Sequence, residues 1–305
     1  MDMTISGSSQ YLADLDRTQA QMQKAQAQAS SGLLLQQVSD DPSAIGAIYQ
    51  LESRISLNHQ TQANLAGSQT ELTAADTALQ SSVTVIENAI SLAAQGANST
   101  ATAQDRIDIA QQVAALQQSL VSLSQTSVNG RYIFSGDQDS KPAYQLDPSQ
   151  PSGVSQLVNS PATRTLADIN GAPIAVAKTA QEIFDARDAG GGTAGNVFVA
   201  INSLLTALQN NDQAGIAAAT DLLKSADQHV NSQLAFYGAA ENRVSDSITI
   251  AQKFLLQDQS DLSRKQDADL PAAALALTKA ETQQQASLSV EAKIQQTPNL
   301  FNYLA

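Results

Sequence analysis

The 305 residues include no Trp, no Cys and two His, aromatic residues make up 4%, and the formal net charge is −13. So few bulky groups suit thin helix-on-helix packing rather than one thick core, and sixteen dispersed Lys and Arg give no basic footprint for phosphates or an anionic membrane. No run approaches the roughly 18 consecutive apolar residues of a membrane span.

The start of the chain, Met1 to Asp16, is acidic and polar and lacks the basic start and apolar centre of a cleaved signal peptide, so signal-directed secretion is not expected. Leu15, Met22 and Ala29 recur seven apart with Leu12 on the same face, but the companion positions are Gln19 and Gln26. Isolated helices are marginal in water. Residues 1–40 are therefore expected to stay disordered in the monomer until a partner covers this weak stripe. Asp41 can cap exposed amides and Pro42 suits a first helical position, which marks the start of a strong helix.

From Ile48 to Ala93 the sequence repeats every seven residues. One line reads Leu51, Asn58, Leu65, Leu72, Leu79, Ile86 and Ala93; its companion reads Ile48, Ile55, Gln62, Gln69, Asp76, Val83 and Ile90. A strict period of seven keeps an apolar stripe facing a partner helix. A helix from Pro42 to Ala94 would be roughly 80 Å long at about 1.5 Å per residue. Gln62, Gln69 and Asp76 suggest a partly exposed seam, with register-setting as the sharper alternative. The repeat fades in a turn at Gln95 to Ser99. A third helix is expected from about Ala103 to Val128 on the stripe Ile109, Val113, Leu116, Leu120 and Leu123, ended by Asn129 and Gly130.

Residues 130–195 hold eight of the fifteen Gly and five of the eight Pro, a composition of turns. Short strands are expected at Arg131 to Gly136, Leu157 to Val158, Thr163 to Leu166 and Ala172 to Ala177. Gly190 to Gly195 reads as a flexible joint. Helix resumes near Asn196 with Phe198, Ile201, Leu204, Leu205 and Leu208. A second long helix is expected from about Ile216 to Lys265 on Leu222, Val230, Leu234, Tyr237, Val244, Ile248, Leu255 and Leu262. Asp267 to Pro271 interrupts it. A sparse repeat follows through Leu270, Leu277, Gln284 and Glu291, with Ala274, Leu288 and Ile294 nearby.

The plan is nearly palindromic, and the expected fold is mainly α: a long antiparallel helical rod, a coiled-coil-like bundle, with a small β-rich insert domain at residues 131–195. Residues 41–130 and 196–270 form the rod, with Leu51, Ile55, Leu65, Leu72, Leu79, Ile86, Ile248 and Leu255 in its core. The weak ends, residues 1–40 and 271–305, are left together at one pole, where they can pair with each other and with neighbouring subunits. Leu12, Leu15, Met22, Ala29, Leu277, Leu288, Ile294, Leu300, Phe301 and Leu304 are the expected assembly interface.

A search for chemistry yields no catalytic, cofactor-binding or metal-binding set. His59 and His229 stand apart from any Asp, Glu or Cys cluster and are read as residues on solvated helix faces. Asp137 to Asp139 starts like a calcium loop, but Pro142 replaces the glycine at the sixth position and Pro148 the glutamate at the twelfth. The glycine run lacks the Lys-Ser or Lys-Thr of a phosphate loop.

Several short elements carry a resemblance. Ala29 to Leu33, followed by Ser39 to Ser43, is similar to the N-terminal signature of bacterial flagellins and their junction proteins. Asn129 to Gly136 resembles the motif at which the hook-associated protein 3 family starts its β domain, and Gln181 to Phe184 resembles a second element inside it. Tyr237 to Arg243 is similar to a turn of the returning helix, although Ala240 stands where that turn has its first Arg. Leu300 to Leu304 resembles the family's C-terminal signature. The elements keep the family order across nearly the whole chain.

The resemblance implies a structural role with no enzymatic activity and no cofactor: a junction ring between hook and filament in the extracellular flagellum. It implies export, unfolded, through the flagellar type III apparatus without signal cleavage. The implied partners are further copies of the chain, hook-associated protein 1, flagellin and an export chaperone at the C-terminal segment, with no nucleic acid and no membrane. The alternatives are flagellin itself and, from another class, a cytoplasmic coiled-coil scaffold or signalling protein.

Overall fold

The computed structural model describes residues 2–35, 41–187 and 192–296. The described residues are mainly α, with long helices and three small antiparallel hairpins. Contacts divide the chain into two compact units, Met1–Leu57 with Phe254–Ala305, and Asn58–Lys253.

The first unit holds α1 (Asp2–Ser31), the first part of α2 (Pro42–Gly96), the last part of α6 (Gln213–Gln266) and α7 (Leu270–Gln296). Helix α1 ends where Gly32 turns into the left-handed region at φ 73° and its N–H donates to the Gln28 carbonyl at 2.9 Å. Glycine takes that conformation without a Cβ penalty. The segment after it forms a short antiparallel bridge with the α6–α7 junction. The Leu34 N–H donates to the Gln266 carbonyl at 2.7 Å, and the Ala268 N–H to the Gly32 carbonyl at 2.8 Å. Asp41 caps α2, its carboxylate accepting from the Ser43 and Ala44 amides at 3.0 and 3.1 Å. The Ser43 hydroxyl and the Ala44 amide hold its carboxyl below the usual carboxylate range. Asp269 caps α7 in the same manner through the Ala272 amide at 3.1 Å.

The second unit is a helical bundle carrying the insert. Along α2, Leu65, Leu72, Leu79, Ile86 and Ala93 are completely buried at seven-residue intervals. A second line, Ala75, Ser82 and Ala89, is buried beside it, so steps of three and four residues alternate along one continuous covered stripe. The companion line expected through Gln69, Asp76, Val83 and Ile90 is only half-buried. The buried register of α6 keeps Val230, Tyr237 and Val244 of the expected stripe, while its other members are only half-buried. Ile216, Leu223, Val230, Tyr237, Val244 and Ala251 face inward with Ala219, Ala226 and Ala240, while Leu222, Leu234 and Ile248 sit on its shoulder. The alanines alternate with these large buried side chains and let helices approach closely, and Leu222 and Leu234 fill the flanks.

Helix α3 (Ala103–Ser124) starts on a reciprocal cap between Thr102 and Asp105 and packs against α5 (Val197–Gln209). Buried Arg106 ties two turns together: its guanidinium donates to the Gly96 carbonyl at 2.8 Å, to the Asn98 carbonyl at 3.2 Å and to the Asn211 side chain.

Asn129 and Gly130 do not end α3, which stops at Ser124. They form the two-residue loop of a hairpin between β1 (Ser127–Val128) and β2 (Arg131–Tyr132), with φ of 53° and 77°. Both central residues of this mirror-image turn need positive φ, and Asn-Gly meets that demand. Strand β2 is only two residues long because Ile133 and Phe134 turn into the core. β3 (Tyr144–Leu146) pairs with β4 (Val154–Gln156), which lies just before the strand expected at Leu157. β5 (Thr165–Ala167) pairs with β6 (Pro173–Ala175). Gln181 to Phe184 belong to a short helix, α4 (Ala180–Phe184), capped reciprocally by Thr179 and Glu182.

Candidate functional site

The terminal helices α1 and α7 pack against each other antiparallel, with the Tyr11 hydroxyl donating to the Ser287 carbonyl at 3.0 Å. Their seam is thin. Its buried side chains are alanines, Ala25, Ala273 and Ala280. Leu15, Met22, Ala29 and Leu277 are half-buried beside them. Leu12 and Leu288 point to solvent, 58% and 50% exposed, as do Leu275 and Val290. At about 25 cal/mol per Å² an alanine seam returns little hydrophobic free energy. A pair with this composition leaves apolar surface open on its outside. Ile294 belongs to the last turn of α7, and Leu300, Phe301 and Leu304 lie outside the described residues.

Of the residues assigned to the rod core, Leu51, Leu65, Leu72, Leu79 and Ile86 are buried, and Ile55, Ile248 and Leu255 are half-buried. Polar residues interrupt the seams. Buried Asn58 donates to the Ala251 carbonyl at 3.0 Å and accepts from Gln62 at 2.9 Å. Asp258, almost fully enclosed, pairs with Arg54 at 2.8 Å. Asp76 bonds Gln80 at 2.6 Å; burial, and then the charge of Glu241, push its carboxyl above the ordinary value.

The insert is fixed to the helices by an aromatic cluster that draws in residues far apart in sequence. Phe134 meets Phe184 and Tyr237 edge-on, with centroids 5.9 and 6.3 Å apart. Phe198 extends the cluster to Phe184 at 5.9 Å and to Tyr144 at 5.0 Å. All five rings are at most 2% exposed. The polar tips are satisfied. The Tyr237 hydroxyl accepts from the Lys178 amide at 3.1 Å, and the Tyr144 hydroxyl donates to buried Asp185 at 3.0 Å. Burial pushes both phenols well above their ordinary value, and for Tyr144 the Asp185 charge adds to it. Asp185 also accepts from the Asn196 side chain and from Arg187. Asn196 in turn caps α5 through the Val199 amide at 2.9 Å.

Charged contacts reinforce this attachment. Glu71 of α2 pairs with Arg164 and, at 3.8 Å, with Arg131, which also holds Asp139 at 2.6 Å. Asp137, at the rejected calcium loop, accepts from the amide and hydroxyl of Thr163 at 3.1 and 2.8 Å. His59 is exposed, but His229 is not on a solvated face. It is half-buried, and its Nε2 bonds the Glu182 carbonyl at 2.8 Å, pinning α4 to α6. A lone histidine gave no sign of this bond in the sequence. Among the described residues no group of three or more His, Cys, Asp or Glu could hold a metal, and no helix is long and apolar enough to cross a membrane.

Residues 4–139 match the bacterial flagellin N-terminal helical region, and residues 220–304 match the bacterial flagellin C-terminal helical region. A search of curated proteins finds no match. Among solved structures, the chain is similar to a protein from Vibrio parahaemolyticus provisionally assigned as flagellar hook-associated, at 24% identity and TM-score 0.65 over 75% of this chain and 100% of that one. It is similar to flagellar hook-associated protein-3 from Legionella pneumophila, at 15% identity and TM-score 0.61 over 71% and 98%. FlgL from Xanthomonas campestris aligns at 17% identity and TM-score 0.56 over 73% and 100%. About a quarter of this chain lies outside each alignment, while those chains align over nearly their full length.

Proposed function

We propose that this chain, which belongs to the bacterial flagellin family, is the ring subunit of the junction between hook and filament. Membership makes it a structural component of the flagellum; the finer reading is its position there. The observation that carries that reading is the aromatic junction. The three motifs around Phe134, Phe184 and Tyr237 meet at one point, where a single compact insert is fastened to long helices. The fold shared with hook-associated chains over nearly their full length points the same way.

In this reading residues 1–40 and 271–305 are the assembly segments, and the insert faces outward. The alanine seam of α1 and α7 suits both stages of the protein's life. A pair held so weakly opens at small cost for passage through a narrow export channel, and orders when neighbours cover its remaining apolar surface. Hook-associated protein 1 is the partner on the hook side and flagellin on the filament side. An export chaperone holds the C-terminal segment beforehand, and export proceeds without signal cleavage.

Deletion of the gene tests the reading. A junction subunit leaves hooks intact on its loss, while filament protein escapes into the medium. If the chain were the filament subunit, its loss would leave hooks without filament and no released filament protein.

A further inference from the structure

We propose that a single internal water is bound at the base of the insert, held by the hydroxyl of Ser135. Ser135 is 2% exposed, and its hydroxyl meets no hydrogen-bonding group among the described residues. Its backbone is satisfied. The amide donates to the Tyr132 carbonyl at 3.2 Å, and the carbonyl accepts from the Gln138 amide at 3.3 Å. A buried hydroxyl without a partner is costly, so folded proteins supply either a protein group or a water. Beside Ser135 lies a cavity of about 10 Å³. That is room for one water and too little for a larger ligand.

An internal water makes about three hydrogen bonds. Gln156, Asn159, Ser160 and Gln181 line the same cavity and can supply the others. The side chains of Asn159 and Ser160 bond no other group among the described residues. The Gln181 side-chain oxygen accepts from Gln156 at 3.4 Å and keeps a second acceptor site. The wall cannot close onto Ser135 instead. At Gly136, the next residue, a Cβ would collide with the Ser160 and Pro161 carbonyl oxygens, so the two segments are already at backbone contact. The position gives the water a structural task. The three hairpins of the insert share no sheet. The cavity lies where the turn after β2, the loop after β4 and the start of α4 meet. The Ala180 amide, donating to the Phe134 carbonyl at 2.7 Å, joins the turn to α4 directly. The water adds the loop after β4 to that joint, and a bridging water serves nearly as well as a direct bond.

Ser135→Ala in the full chain, together with a high-resolution crystal structure of the unaltered chain, tests the site. The crystal structure should show one water within about 2.7–3.0 Å of the Ser135 Oγ and of a second polar group of the wall. The alanine takes one bond from that water. The thermal midpoint should fall by about 2–4 °C, the shift for one hydrogen bond lost from a domain of this size. With no water present, the same change removes an unpaired hydroxyl, and the midpoint holds or rises. An unchanged or higher midpoint therefore overturns the proposal. So does a crystal structure in which the Ser135 hydroxyl bonds a protein group, or in which no water stands beside it.

Discussion

The ring of Phe134 stands edge-on to the ring of Tyr237, with centroids 6.3 Å apart and planes at 88°, joining the first turn of the insert to the returning long helix. Edge-to-face pairs contribute about 0.5–1.5 kcal/mol beyond the area they bury. Phe134 also touches Phe184, so its removal empties the centre of the cluster. The Phe134→Ala variant should lose about 3–5 kcal/mol in urea denaturation, the range for truncating a buried Phe. Half-buried Tyr132, two residues earlier, should lose far less on the same change. Equal losses at both positions would remove Phe134 as the anchor.

Tyr144 and Tyr237 make stability fall in alkali. Both phenols have folded-state values raised above the ordinary value of 10.0. The folded protein therefore holds these protons more tightly than the unfolded chain. Their contribution is fully present below pH 10 and is lost as the pH rises beyond it. Thermal unfolding followed from pH 8 to pH 11 should show this fall. Tyr144→Phe and Tyr237→Phe should each flatten it, at a neutral-pH cost of about 1 kcal/mol for the lost hydrogen bond.

Asp76 acts in the same sense, but in the acid range. Its carboxyl is raised by burial and by Glu241, so the protonated form suits the folded state better. The charged form opposes folding at neutral pH, and this penalty disappears as the pH falls through the raised value. Asp76→Asn should therefore stabilise at pH 7 by about 0.2–0.5 kcal/mol, the scale of like-charge helix pairs. The gain should shrink towards pH 4. A gain that does not change with pH would point to a cause other than charge.

Gly32 closes α1 within the N-terminal signature. Its positive φ and the bridge to the α6–α7 junction require a left-handed residue. Gly32→Ala should cost about 1–2 kcal/mol through that conformation. Limited proteolysis should then release the terminal helices more readily, while the fragment between them resists cleavage as before.

The seven-residue line of Leu65, Leu72, Leu79 and Ile86 was legible because one helix writes its whole stripe locally. The register of α6 was legible in part: Val230, Tyr237 and Val244 are buried as expected. Ala219, Ala226, Ala240 and Ala251 are buried with them, and the bulkier Leu222, Leu234 and Leu255 alongside outweigh these alanines in any reading by hydrophobicity. Asn129 and Gly130 satisfy a helix end and a tight hairpin equally well, so only the pairing of Ser127 with Tyr132 distinguishes them. The terminal pair was visible as two weak stripes, but Ala25, Ala273 and Ala280 carry too little hydrophobic signal to reveal the seam. The aromatic cluster is non-local: nothing near Phe134 announces Tyr237 a hundred residues on. The motifs that carry the family likeness were readable as letters, and their convergence supplies the physical reason those letters occur together.

Immunogold labelling of the chain on isolated flagella, viewed by electron microscopy, tests the central claim most directly. The account predicts a single narrow band of label at the distal end of the hook, where the filament begins. Label distributed along the filament, or none on the flagellum at all, would contradict it.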